Sequence, residues 1–221
     1  MKPTENQFLS YQSIFDYFNE KLFGGQLPGV ILNFSRKSNT HGFFAPERWE
    51  QTTTTRTKSH EISLNPQTLG RDPRLVYSTL VHEMVHLWQQ QFGKPSRRNY
   101  HNKQWAVKME EVGLIPSNTG KPGGKKTGQG MTHYIEENGP FEQAFRSMPA
   151  ELRKLPFIDI EYVMIEGDHD GDGEGDGEEK PKKKNAKDKI KYTCPSCSMN
   201  TWGKEGLNLM CGDCNEHLIQ Q

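Results

Sequence analysis

A chain of 221 residues with 28 basic and 28 acidic side chains has no formal net charge, so no overall basic excess directs it to nucleic acid. No apolar run approaches the roughly 18 residues of a membrane span, and "MKPTENQFLSYQS" lacks the apolar core of a leader, which argues against a membrane protein and for a cytoplasmic one. The length suits one main domain with a small appendage.

Phe8, Tyr11, Phe15, Phe18 and Leu22 recur at three- and four-residue steps, which predicts an amphipathic helix over 6–23 ended by Gly24 and Gly25. Three β-type runs follow, "VILNFS" at 30–35, "GFFAPERWE" at 42–50 and "HEISLNP" at 60–66, and together they read as a small sheet. "RDPRLVYSTLVHEMVHLWQQQFG" then has Asp72 placed as an N-cap, Pro73 at the first helical position and Gly93 as its stop. A further helix is expected from about Asn102 to Val112, with Trp105, Met109 and Val112 on one face and Gly113 as terminator. Residues 116–132 read as a long loop, and a mixed segment runs on to about Ile165.

Beyond it "EGDHDGDGEGDGEEKPKKKNAKDKIK" joins an acidic Gly-rich block to a lysine block, a composition too polar to bury a core and therefore a linker. Residues 168–179 formally fit a calcium-loop pattern, but Gly175 stands at the eighth position, where an apolar residue normally anchors such a loop, so the match reads as accidental. No internal repeat is evident.

The chemistry concentrates in "HEMVH". Residues four apart share a helix face, so His82 and His86 can point at one ion while Glu83 turns toward a water beside it, the HExxH arrangement of zinc hydrolases in which the glutamate is the general base. Five residues with two free positions also occur by chance on ordinary helices, so the capped, apolar context of Val76, Leu80, Met84 and Leu87 carries part of the argument. A catalytic zinc needs a third ligand, and the downstream candidates are His101, Glu110 and Glu111. Phe92 excludes the HExxHxxGxxH spacing. His101 is preferred, because a turn between the helices can return it over the motif.

Cys194-x-x-Cys197 and Cys211-x-x-Cys214 form two knuckles separated by thirteen residues, the spacing of a four-thiolate zinc ribbon. Two disulfides are the competing reading. A four-cysteine site leaves no open position, so its zinc is structural and its function lies on the surface. Trp202 is either a base-stacking platform or core filling, and Lys182, Lys183 and Lys184 are either phosphate contacts or a solvated tether.

"HEMVH" followed by a histidine in an H-x-x-x-W context resembles the SprT-like metalloproteases, which include bacterial SprT proteins and the eukaryotic Spartan proteases. The resemblance covers about residues 8–115, including "FGGQLPGVILNFSRKSNTHGFF" and "EISLNP". It implies His82, His86 and His101 as zinc ligands, Glu83 as general base, and action on proteins attached to DNA, single-stranded DNA above all. Asn102 departs from the glycine that commonly follows the third histidine in the family, although asparagine also tolerates unusual backbone angles. In "GQGMTHYIEENGPF", His133 and Tyr134 are candidates for substrate or transition-state contact beside the plainer reading of surface or core residues.

The expectation is an α+β chain: a zincin-like metalloprotease domain at 1–165, a charged linker at 166–188 and a zinc ribbon at 189–221, with one catalytic and one structural zinc, protein substrates and no membrane partner. A zinc-containing DNA- or protein-binding factor with little or no proteolytic activity is the alternative. A hydrolase of non-protein substrates is a third reading, since HExxH does not define its target.

Overall fold

The computed structural model describes residues 1–37, 39–97, 99–160 and 190–220, which fall into two compact units. The junctions expected at 165/166 and 188/189 and the calcium-like stretch 168–179 lie outside the described residues.

Helix α1 spans Pro3–Phe23, three residues earlier than the apolar pattern predicts, because Pro3 is suited to the first helical turn. Gly24 ends it in the left-handed conformation at φ 62°. Its buried stripe is Tyr11, Ile14, Phe15 and Phe18. Phe8, expected in that stripe, is exposed on one side and rests on Phe34 with ring centroids 5.4 Å apart.

Strands β1 (Ile31–Phe34), β2 (Gly42–Glu50) and β3 (Lys58–Leu64) make one sheet in the order β1-β3-β2, with β1 parallel and β2 antiparallel to β3. Alternation along β3 turns Ile62 and Leu64 into the main core and Glu61 and Ser63 to the other face. Glu61 is nonetheless buried. Its carboxylate accepts hydrogen bonds from the Trp49 indole and the Ser63 hydroxyl, each at 2.6 Å, and pairs with Arg48 at 3.3 Å, which offsets the cost of burying a charge. Trp49 and Arg48 lie at and beside the register shift between Ala45 and Trp49, so the same bonds fix the bulge in β2.

Helix α2 (Pro73–Phe92) begins as expected: the Asp72 carboxylate accepts the Arg74 backbone N–H at 2.8 Å. Nearly its whole circumference is buried, with Val76, Tyr77, Leu80, Val81, Met84, Val85 and Leu87 all in the core. It packs against α1, β2 and β3 and against α3 (Lys103–Glu111). Phe18 anchors the assembly, stacked 5.5 Å from Phe141 and edge-on to Tyr77 at 6.0 Å.

The long loop expected at 116–132 is present but shorter, at 118–131. Residues 116, 117 and 132 belong to a hairpin of β4 (Leu114–Ser117) and β5 (Thr132–Ile135), followed by α4 (Pro140–Ser147), whose Phe141 and Ala144 face the core. Four-residue strands broken by Pro116 give too little alternation to announce themselves.

The second unit is a three-stranded sheet in the order β7-β6-β8, from β6 (Ile190–Thr193), β7 (Asn200–Gly203) and β8 (Ile219–Gln220). Tyr192, Cys194, Cys211 and Leu218 form its small core. Among the described residues no helix is long and apolar enough to cross a membrane.

Gly113 makes the turn from α3 into β4 at φ 81°, and a Cβ there would lie 2.9 Å from Pro140 Cδ at the start of α4. Gly113→Ala is therefore expected to lose more than about 1 kcal/mol of stability, measurable by urea unfolding.

Candidate metal centre

His82 and His86 sit one helical turn apart on α2, and the chain returns after Gly93 to place His101 beside them. One ring nitrogen from each of the three lies within 4.8 Å of those from the other two. His86 Nε2 and His101 Nε2 are 3.1 Å apart, so both rings turn the same atom to the shared point. Glu110 and Glu111 do not join them: Glu110 pairs with Lys126 at 2.7 Å and Glu111 with Lys108 at 3.1 Å.

Asn102 explains the return of the chain. Its side-chain oxygen accepts the Trp105 backbone N–H at 3.1 Å, capping α3, and the Gln89 side-chain N–H at 2.8 Å, while its nitrogen donates to the Lys94 carbonyl at 3.1 Å. One side chain thus ties the end of α2 to the start of α3 next to His101. Its φ of −89° and ψ of 178° are ordinary extended values, so tolerance of unusual angles is not the reason for asparagine here.

His101 is held a second time from the loop between β4 and β5. Its backbone exchanges two hydrogen bonds with Gly128, N–H to carbonyl at 2.8 Å and the reverse at 3.0 Å, and its Nδ1 lies 3.2 Å from the same Gly128 oxygen. A ring nitrogen facing a carbonyl carries the hydrogen, so the lone pair of His101 is at Nε2, where the other imidazoles converge. Trp105 forms one wall, its ring centroid 5.0 Å from His82, 5.4 Å from His86 and 4.3 Å from His101.

Burial, and then the neighbouring His101 and His82, pushes the His86 imidazole well below its usual range, toward the neutral form a ligand requires. Glu83 is fully buried beside this cluster. The Tyr11 hydroxyl of α1 is held well above its usual value by burial, then by the charges of Glu83 and Glu61, and so stays protonated.

His133, on β5, places Nδ1 3.2 Å from His82 Nδ1 and is 7% exposed, so it meets a histidine of the cluster. Tyr134 is half-buried and lines a small pocket with His41, Arg71, Thr79 and His133. The contacts of Gly128 and His133 with the cluster were not legible in the sequence. A glycine whose carbonyl matters and a histidine 51 residues from its partner leave no local pattern.

In the second unit Cys194, Cys197, Cys211 and Cys214 bring their sulfurs within 4.8 Å of one another, and none forms a disulfide. Two matching turns achieve this: the Ser198 N–H bonds the Cys194 carbonyl at 3.0 Å and the Asn215 N–H bonds the Cys211 carbonyl at 2.9 Å, with Ser198 and Asn215 at φ 60° and 53°. Backbone N–H groups of Cys197 and Ser196 directed at the Cys194 sulfur lower its thiol to about 7. Four converging thiols suit zinc among the common metals. Trp202 is 58% exposed, which removes it from the core, and stands opposite Lys191 across β6 and β7. Lys182, Lys183 and Lys184 lie outside the described residues.

The SprT-like family model matches residues 11–122, a little more than half of the chain. The chain belongs to the SprT-like family. An uncharacterized protein of the mucB 3' region from Salmonella typhimurium is 34% identical over 47 residues, 21% of this chain and 64% of that protein, so the chain spans less than two thirds of the relative. No solved structure matches. Membership is consistent with a metalloprotease-type function, and the family match runs from Tyr11 in α1 past β4, a stretch that includes all three histidines.

Because Asn102 both caps α3 and receives the buried Gln89 amide, Asn102→Ala is expected to cost about 1–3 kcal/mol. Asn102→Asp, which keeps the acceptor, should lose less; chemical denaturation of both variants checks this.

Proposed function

We propose that this chain is a zinc-dependent endopeptidase of SprT type, with a zincin-like domain over 1–165, a linker at 166–188 and a zinc ribbon at 189–221. The observation that carries the reading is the convergence of three imidazole nitrogens within 4.8 Å, with a buried glutamate next to one of them on the same helix. Three converging imidazoles, two of them with an outer partner at Nδ1, suit zinc, and His82, His86 and His101 are its ligands in this reading. When bound, the ion supplies Lewis acidity that acidifies water and polarises a peptide carbonyl.

The rest of the work belongs to the protein. The Glu83 carboxylate takes a proton from water as general base and returns it to the leaving amine. Its surroundings of Tyr11 and apolar helix side chains keep bulk water away, which strengthens each charge interaction in the site. Trp105 lies against all three imidazoles and closes one side. Tyr134, on the pocket beside His133, is assigned to contact with substrate.

The ribbon has no open coordination position in this reading, and its zinc is structural, so its contribution comes from its surface. Exposed Trp202 with Lys191 beside it suits stacking on an unpaired base with a phosphate contact, and Lys182, Lys183 and Lys184 extend that basic character along the chain. The substrates we infer are proteins seated on or crosslinked to DNA in the cytoplasm.

The test is cleavage of a DNA-binding protein, and of the enzyme itself, with and without single-stranded DNA, by the zinc-loaded full chain beside Glu83→Gln. The variant is expected to keep its zinc and lose about 10²–10⁴-fold in rate. A folded wild type with both zinc sites filled that cuts nothing in either condition overturns the protease reading and puts a DNA- or protein-binding factor in its place.

A further inference from the structure

We propose that His133 is a positioning residue for the metal centre, one that fixes the tautomer and tilt of His82 so that His82 meets the ion through Nε2. This rests on the metal site of the preceding reading, but not on peptide hydrolysis.

An imidazole offers two nitrogens, and the partner of one decides the role of the other. His82 Nδ1 lies 3.2 Å from His133 Nδ1, with both rings buried, so one hydrogen must sit between the two atoms. If His82 is the donor, its lone pair is at Nε2 and available to an ion, and His133 accepts. If His133 is the donor, the neutral His82 carries its hydrogen on Nε2 and that coordination position is blocked. Ligation therefore selects the first arrangement, and a neighbour able to accept at the Nδ1 side stabilises it.

The backbone around His133 suits such a role. It belongs to β5, in register with Pro116 of β4, and so is delivered by a paired strand. The converging group holds nitrogens of His82, His86 and His101, and His133 is not part of it, so the geometry assigns it to the outer side of the site. The same hairpin supplies the Gly128 carbonyl that faces His101 Nδ1. One structural element thereby orients two of the three imidazoles. The family match ends at residue 122, before His133 is reached.

The test compares wild type, His133→Ala and His133→Asn in the full chain, with zinc displacing cobalt(II), whose absorption separates imidazole-bound from thiolate-bound ion. Asparagine places an acceptor oxygen near the position of Nδ1. His133→Ala is expected to weaken zinc at the histidine site about 10–100-fold, with His133→Asn recovering most of the loss and the cysteine site unchanged in both. Nitrogen NMR of His82 should show the hydrogen on Nδ1 in the loaded wild type. Equal zinc affinity in wild type and His133→Ala overturns the proposal, as does His133→Asn binding no better than His133→Ala. If alanine prevents folding, as thermal unfolding would reveal, the asparagine variant and the nitrogen NMR decide together: near-wild-type affinity with the hydrogen on His82 Nδ1 supports the proposal, and a loss of about 10-fold or more in a folded protein, or the hydrogen on His82 Nε2, refutes it. A wild type that loads zinc but cleaves nothing ends the protease reading and leaves this one to the affinities; a histidine site that takes no zinc ends both.

Discussion

Three ring nitrogens meet at one point inside a largely apolar helix packing, and most of the first unit is arranged around that convergence. His82 and Glu83 occupy positions on α2 that are fully buried, where an ordinary core helix would carry leucine or valine. Ionisable groups placed there are costly unless they are neutral, paired or committed to an ion. The fold meets this by giving each exposed flank of α2 a cover: α1 with Tyr11 on one side, the sheet on another, and α3 with Trp105 against the imidazoles. The polar cluster is thus small, enclosed and surrounded by groups with fixed orientation.

The second unit meets a different constraint. Its described core amounts to Tyr192, Leu218 and two cysteines with a few half-buried neighbours, far less apolar surface than a free-standing domain needs. Two equivalent turns with left-handed corners at Ser198 and Asn215 bring four sulfurs together in its place. An ion held at that point would couple folding of the unit to metal binding, whereas in the first unit packing of the helices and sheet does most of that work.

Much of this was legible in the sequence, for reasons that can be named. Helix α2 was readable at both ends because Asp72, Pro73 and Gly93 act through local backbone chemistry, and β2 was readable from the aromatics Phe43, Phe44 and Trp49, although Pro46 interrupts the run. The two metal-type groups were readable because ligands on a helix turn or a knuckle have fixed spacing. The β4–β5 hairpin was not, since its strands are short and interrupted, and α4 was hidden in a mixed segment. Phe8 was assigned too deep a place because periodicity marks a helix face but not where the neighbouring strand ends. Asn102 was read through its backbone tolerance, when its work is done by side-chain bonds to Gln89 and Trp105 that only the return of the chain creates.

The hold of Gly128 on His101 runs entirely through main-chain atoms on the loop side: one carbonyl receives both the backbone and ring N–H of the histidine, and one amide answers. The loop keeps that carbonyl in place with side chains of its own: Met131 is fully buried in the core, the Asn118 side-chain oxygen accepts the Lys125 N–H at 2.7 Å, and the Ser117 hydroxyl donates to the Lys121 carbonyl at 2.6 Å. Its length is fixed as well, because an insertion or deletion slides a different carbonyl under the ring, and Gly128 at φ 141° occupies backbone space that a side-chain-bearing residue rarely enters. The number of residues between His101 and β5 is thus tied to the geometry of the centre.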